Sequence, residues 1–461
     1  MTHLGKAARR TLVEYFKKTS LNGFGLLYHI RRRRFQRLFW FMFIALGILF
    51  ASYVVLHTLF EFLVHPTVTV LSAQGLDIAV TPFPALAVCS ANKLSKQALH
   101  QYAQQLAKNG MSAQDWLRQL HLLGGYFQPG SVPAENASAL QALFGDRWPK
   151  DGARGQLLSL APSCRTQLLR CEVAGVAHSC DDLFQLVGTG NGCCCVFNQD
   201  GLSDGNDSYR HVASGQEMGL TLLLNGSRAD DFPMVRTQRS DGYSIHVFAS
   251  DGFMPEAGTG AQRTLHIARA GETVAVELHV VAQQAESRLL DYDVSRRGCL
   301  FASDGVSLSK CLSQCRLHSI VSKCSCLPFP HSQSREWNVS QCTLSDTACL
   351  QTHESIWSPA MPECSRCLPL CNDYRYELHK GNPTNMRRNP DGHSRLTLYY
   401  RAMRMPLYSQ SELYNWYQIL SNIGGVIGIC IGCSLISGVE IIYFIIFRLF
   451  ENFLHLRNGD M

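Results

Sequence analysis

Residues 432–434, Gly-Cys-Ser, are followed six positions later by Glu440, and all of them lie inside a 31-residue apolar stretch, Tyr417–Phe447. At membrane depth such groups suit the wall of a pore. A carboxylate in a span costs about 2.5–3.5 kcal/mol on insertion scales and turns toward an aqueous or protein-filled interior. Rings of carbonyls or hydroxyls replace part of an ion's hydration shell. Upstream, Ser421, Gly425, Gly428 and Gly432 recur at i, i+4, i+7 and i+11, one side of a helix. Such a small, partly polar face suits the wall of a pore, which several copies around an axis can enclose and one copy cannot. Two plainer readings stand beside it. Gly424, Gly428 and Gly432 also fit a small-xxx-small helix-packing face, and Glu440 also fits a carboxylate snorkelling at the inner interface. Ser434 and Glu440 together favour the pore wall.

Other chemistry fails on its spacing. His353-Glu354 begins a zinc-protease motif, but Trp357 stands where the second histidine belongs. The Gly-Cys-Ser triplet continues to Ile436 rather than glycine, so it is no nucleophile elbow. The Cys364–Cys367 spacing suits zinc in a reducing compartment and a disulfide in an oxidising one. No enzyme activity, catalytic residue, cofactor or bound metal is expected.

The elements that must hold this segment follow from apolar length and charge. A first apolar stretch runs from Leu38 to Val64. Roughly 20 apolar residues span a bilayer as a helix, so both stretches qualify. The first is too long and too far from the N-terminus for a signal peptide. Residues 1–37 carry ten Lys or Arg against one acid, Glu14, which places them in the cytosol. The cluster Arg31–Arg34, beside a span, suits anionic lipid better than nucleic acid. Residues 38–64 are then the first transmembrane helix, 65–416 the exterior, 417–448 the second span and 449–461 a cytosolic tail, in the plasma membrane. Of 19 cysteines, 17 lie between the spans, and ten of these fall between Cys299 and Cys371. That density reads as a disulfide framework stapling a part with little apolar core. Four sequons, Asn136, Asn206, Asn225 and Asn338, lie in the same exterior segment. Pro82–Cys89, Gly219–Asn225 and Thr273–Val281 read as strands, residues 93–126 as helical, and 203–217 and 250–262 as Gly/Asp/Ser-rich loops. As one straight helix the second span would rise about 46 Å, against about 30 Å of hydrocarbon. It must tilt, project or break, and the triplet is where a break fits.

The stretch IGGVIGICIGCSLISGVEIIYF resembles the second membrane segment of the degenerin/epithelial sodium channel superfamily, with its G-x-S triplet, aliphatic run and glutamate. FPALAVCSAN (Phe83–Asn92) is similar to the family's stretch after the first span. GCCCVFN (Gly192–Asn198) and GLTLLLN (Gly219–Asn225) match two exterior elements, and Cys311–Cys315, Cys324–Cys326 and CSRCLPLC (Cys364–Cys371) match the cysteine-rich thumb. The paired cysteines before Phe197 and the compact length are most like the insect pickpocket branch. The resemblance implies a membrane α+β fold: two transmembrane helices flanking a large β-rich, disulfide-rich extracellular domain, assembled as a homo- or heterotrimer with related subunits. It implies an amiloride-sensitive channel with Na⁺ as permeant ion, gated through the exterior. Gly432, Cys433 and Ser434 would form an extended selectivity filter. Ser421 would occupy the position where a bulky residue holds the pore open, and Asn422 replaces an outer-mouth aspartate. The resemblance also supplies disulfides that spacing alone leaves open: Cys89–Cys194, Cys171–Cys180, Cys299–Cys371, Cys311–Cys367, Cys315–Cys364, Cys324–Cys349 and Cys326–Cys342. Cys164, Cys193 and Cys195 remain, with Cys164–Cys195 a guess and one thiol left over. One departure matters. The family's gating His-Gly pair before the first span is here Asn22-Gly23, which keeps the glycine and loses the histidine.

Three alternatives compete. A ligand-gated trimer of the ATP-receptor type shares two spans and a cysteine-rich exterior but lacks the triplet followed by Glu440. A non-conducting or modulatory two-span receptor or adhesion subunit explains the sequons and disulfides, but not a glycine-lined, overlong second span. An ectoenzyme has no site.

Overall fold

The computed structural model describes residues 3–29, 34–107, 111–145, 153–199, 213–232, 242–250, 263–267, 271–331, 337–353, 364, 366–380 and 392–458. The chain divides into two compact units. The first comprises Met1–Thr69, Ser287–Arg297 and Gln410–Met461, and the second Val70–Glu286 and Gly298–Ser409.

The first unit is helical. It contains α1 (His3–Lys18), α2 (Phe24–His29) and α3 (Arg34–Val64), followed late in the chain by α4 (Trp416–Ile431), α5 (Leu435–Tyr443) and α6 (Leu449–Asn458), with a π-turn at Phe444–Arg448 between the last two. α3 is long and apolar enough to cross a membrane. Its large side chains turn outward rather than into a core, Leu49 being 68% and Leu46 66% exposed. The second apolar stretch is not one straight rod. It passes the same test only as a pair, Trp416–Ile431 and Leu435–His455, bent by 70° at a short break. The break is the Gly-Cys-Ser triplet. α4 ends on Gly432 in the left-handed region (φ 71°, ψ 22°), whose N–H returns to Gly428 O at 2.9 Å, the helix stop that glycine permits without a Cβ clash.

The second unit is built on two sheets. Its labelled strands are β1 (Ala85–Ser90), β2 (Leu168–Val173), β3 (Val176–His178), β4 (Phe184–Thr189), β5 (Gly192–Phe197), β6 (Leu220–Leu224), β7 (Tyr243–Phe248), β8 (Arg263–Ile267), β9 (Thr273–Ala285), β10 (Asp373–Lys380) and β11 (Ser394–Tyr400). Six of them form most of the larger sheet in the order β9-β11-β6-β2-β3, with β10 also paired to β9; only β9 and β11 run parallel. The smaller sheet runs β8-β7-β1-β5-β4. β9 buries Val274, Val276, Leu278, Val280 and Ala282 at alternate positions, the period-two signature of a sheet with one face inward. β1 and β5 are buried at every position, which is why their sequences read as unbroken apolar runs. Helices Lys96–Ala107, Ala113–Leu120, Ala134–Phe144 and Ala153–Leu160 gather a second core around Trp116, Leu99, Leu140 and Phe144. Among the described residues, the cysteine-rich part has a small cluster of its own, Ile320, Cys326, Cys342 and Leu350.

Candidate functional site

The break at 432–434 is assembled from both ends of the sequence. After α1, the backbone turns at Gly23 (φ 82°), where a Cβ would lie 2.9 Å from Ile44 Cδ1 of α3. The left-handed conformation favours glycine, and a Cβ there would also have to displace the Ile44 methyl. The turn brings Asn22 to the end of α4. Its N–H donates to Ile431 O at 3.0 Å, satisfying one of the carbonyls that a helix C-terminus leaves open. The Asn22 carboxamide lies over Gly432, so that a Cβ there would come within 2.5 Å of it. Gly432 is therefore favoured by its φ, and any Cβ there would displace the Asn22 carboxamide.

Two residues before Asn22, Ser20 reaches the start of α5. Its N–H and Oγ donate to Glu440 Oε2 at 3.1 and 2.8 Å, and its Oγ is 2.8 Å from Ser437 Oγ. Ser437, 1% exposed, in turn shares a capping box with Ser434. Ser437 N–H donates to Ser434 Oγ at 3.3 Å and Ser434 N–H to Ser437 Oγ at 3.2 Å. A polar ladder thus runs Ser434–Ser437–Ser20–Glu440 through an otherwise apolar segment. The structure brings together Asn22, Gly23, Gly432, Ser434 and Glu440. It also adds Ser20 and Ser437, which the sequence did not single out: a lone serine 420 positions from its partner leaves no periodic or spacing signal. In two details the geometry differs from expectation. Gly432 is left-handed rather than extended, while Ser434 is extended (φ −108°, ψ 172°), because the triplet must both end α4 and cap α5. Glu440 points its carboxylate at the N-terminal turn, since Ser20 offers it two donors.

The other face residues fall as follows. Ser421, Asn422, Gly424 and Gly425 are exposed, and a Cβ on Gly424 or Gly425 would meet nothing within 4 Å. Gly428 is half-buried, its nearest neighbour being Cys433 O. α3 packs on the other side of α4, where a Cβ on Gly47 would approach Cys430 O to 3.3 Å and where Ile423, Val426 and Ile427 are half-buried. The glycine stripe is therefore not the surface that α3 covers. Below the break, Glu14 of α1 accepts from Arg448 Nε at 3.0 Å, and buried Asn452 donates to Thr11 Oγ1 at 3.0 Å, tying α1 to the C-terminal helix.

In the second unit the motif residues also converge. The Asn198 amide donates to Phe83 O, and the hydroxyls of Tyr376 and Tyr400 donate to Pro82 O at 2.9 and 3.2 Å. The disulfides are Cys89–Cys194, Cys171–Cys180, Cys299–Cys371, Cys311–Cys367, Cys315–Cys364, Cys324–Cys349, Cys326–Cys342 and Cys164–Cys195. Cys193 is a buried free thiol beside Lys93, and burial pushes it up to about 12. Lys93 donates to Ser90 O and Asn191 O at 2.8 and 2.7 Å, and burial lowers it to about 8. Burial, then the charge of Lys93, lowers His246 to about 4. Among the sequons, Asn136 and Asn338 are exposed. Asn225 has its Nδ2 donating to Thr166 O at 2.8 Å and its Oδ1 accepting from Ser227 N–H. Asn206, Glu354 and most of 203–217 and 250–262 lie outside the described residues. Among the described residues no group of three His, Cys, Asp or Glu is placed to hold a metal.

A family model described as amiloride-sensitive sodium channel matches residues 15–444. Pickpocket protein 11 of Drosophila melanogaster is 24% identical over 463 residues, covering 95% of this chain and 77% of its own. Sodium channel protein Nach of Drosophila virilis is 27% identical over 63% of this chain and 78% of its own. Epithelial sodium channel subunit beta of Xenopus laevis is 22% identical over 59% of this chain and 46% of its own.

Proposed function

This chain belongs to the amiloride-sensitive sodium channel family, in the insect branch of the degenerin/epithelial sodium channel superfamily, and from that premise we propose that it is one subunit of a trimeric, amiloride-blocked, Na⁺-preferring channel. Two spans, α3 and the bent α4–α5 pair, cross the plasma membrane, with both termini in the cytosol and the disulfide-rich unit outside. Three copies of α4 turn the side bearing Ser421, Gly425 and Gly428 to a common axis, the side α3 leaves open. At the narrowest ring the carbonyls freed at the α4 C-terminus, together with the Ser434 hydroxyl, replace part of the hydration shell of a cation and exclude anions. The N-terminal turn, held by Asn22 to Ile431 and by Ser20 to Glu440, braces that ring from below. Movement of the stapled exterior drives gating.

The observation that carries this reading is the helix break at Gly432–Ser434 inside an apolar stretch; in a membrane such non-helical backbone needs protein or water beside it. A modulatory, non-conducting subunit is the second reading, and Asn22 in place of the family's histidine favours it. Against it, the bond to Ile431 uses the Asn22 backbone N–H, which survives the exchange of side chain. Whole-cell recording after expression, alone and with related subunits, tests the proposal. The expected result is an inward Na⁺ current blocked by amiloride. Normal surface delivery with no current under any combination would overturn it.

A further inference from the structure

We propose that Ser20 is a phosphorylation site for a basophilic serine/threonine kinase, and that its phosphate and the Ser20–Glu440 clamp exclude one another. The proposal rests on the reading that residues 1–37 face the cytosol, where ATP and such kinases are found.

Three observations converge. The sequence is Lys17-Lys18-Thr19-Ser20, with two cations two and three positions before the hydroxyl, a charge pattern by which kinases select substrates. α1 stops at Lys18, so Thr19 to Gly23 is non-helical and able to extend into a kinase cleft. Ser20 itself is exposed, yet its Oγ is the hinge of the polar ladder, 2.8 Å from both Glu440 Oε2 and Ser437 Oγ.

The chemistry is a phosphoryl transfer. The Ser20 Oγ–P bond forms, the bond from the γ-phosphorus to the bridging oxygen of ADP breaks, the hydroxyl proton goes to the kinase's base and ADP departs. The product has no hydroxyl donor and carries about −1.5 to −2 charge at pH 7. Placed beside the Glu440 carboxylate, it exchanges the Oγ–H donation to Glu440 Oε2 for repulsion between anions. The clamp therefore opens when Ser20 is phosphorylated. The converse holds by the same coupling: a kinase takes only the opened fraction, so Glu440 shields the site while the turn is docked. Phosphorylation would thus trap the N-terminal turn away from the Gly432–Ser434 ring.

The test uses the purified full chain in detergent, a basophilic kinase catalytic subunit and ATP, with phosphate located by peptide mass spectrometry. The initial rate at Ser20 is expected to rise about tenfold in Glu440→Ala, the scale of one charge-assisted hydrogen bond, and to fall at least about tenfold when Lys17 and Lys18 are both changed to Gln. Ser437→Ala, which removes a clamp partner without changing charge, is expected to raise the rate about threefold and keeps the test available if Glu440→Ala does not fold. Phosphate on Thr19 instead, none on Ser20 in the opened variants, or equal rates in wild type and both opened variants would overturn the proposal. The assay reads phosphate, not current, so a non-conducting chain would still decide it. An N-terminal tag reached by antibody outside intact cells would overturn the topology on which the site rests, separately from the clamp.

Discussion

The cysteine-rich part and the 432–434 break solve the same problem, a segment with little core of its own, by opposite means. Between Cys299 and Cys371, five disulfides hold a part whose apolar cluster contains four buried residues. Three of those bridges anchor the single helix Leu308–Cys324. Around the break there is no covalent tie among the described residues. One backbone hydrogen bond from Asn22, two bonds into Glu440 and a serine capping box hold it. Covalent staples act mainly by restricting the unfolded chain and leave a rigid part. A few hydrogen bonds, each contributing about 0.5–1.5 kcal/mol net, leave an element that can switch. On the proposed function, a rigid disulfide-rich unit would transmit movement and a reversible latch at the break would respond to it.

The sharpest way to break this contrast is to remove a staple. Replacing Cys315 and Cys364 with Ser is expected to destabilise the exterior by about 2–5 kcal/mol and to abolish surface delivery, read by surface biotinylation. Normal delivery would show that the thumb-like part does not depend on its bridges. Next is the buried histidine of the second unit. His246 is held neutral by burial, its pKa lowered from 6.5 to about 4. Between those values the unfolded chain binds more protons than the folded one, so stability is full above pH 6.5 and is lost as pH falls toward 4, by roughly 3 kcal/mol in total. Thermal unfolding of wild type against His246→Gln across that window should show a steeper acid loss in wild type; parallel curves would contradict the assignment.

At the latch the expected effects are smaller. Gly432→Ala carries a left-handed strain of about 1–2 kcal/mol plus collision with the Asn22 amide. It should leave delivery intact and remove current, and Asn22→Ala should restore part of it. Full additivity of the two changes would mean that they do not touch. The mildest effect separates two sequons. Asn136→Gln should shift electrophoretic mobility by one glycan. Asn225→Gln should not, because its amide is engaged with Thr166 O, and should instead cost about 0.5–1.5 kcal/mol in unfolding experiments.

What the sequence disclosed and what it hid follow from range. β1, β6 and β9 were legible because burial imposes a local pattern, an unbroken run in Ala85–Ser90 and alternation in Thr273–Ala285. The helix break was legible because a Gly-Cys-Ser triplet interrupts a stretch longer than the hydrocarbon thickness; α3, equally long but without such a triplet, stays one helix. The disulfides were not legible from spacing; the resemblance named seven pairs, and Cys164–Cys195 was a guess among the three cysteines left. The Ser20–Glu440 clamp, Lys93 against Asn191 O, and the engagement of Asn225 join residues whose meeting no local period encodes. The left-handed Gly432 was missed because the same residue must end one helix while its neighbour Ser434 begins the next.

The central claim is that the Ser421–Gly425–Gly428 side of α4 faces water in a ring of chains while the opposite side rests on α3. It is tested most directly by recording current in a background with Cys430→Ser and Cys433→Ala. Gly425→Cys and Ile423→Cys, about 160° apart on that helix, are then exposed in turn to a charged thiol reagent from outside. The account predicts rapid loss of current at position 425 and none at 423. Modification at 423 with no effect at 425 would place the glycine stripe against lipid or protein and contradict it.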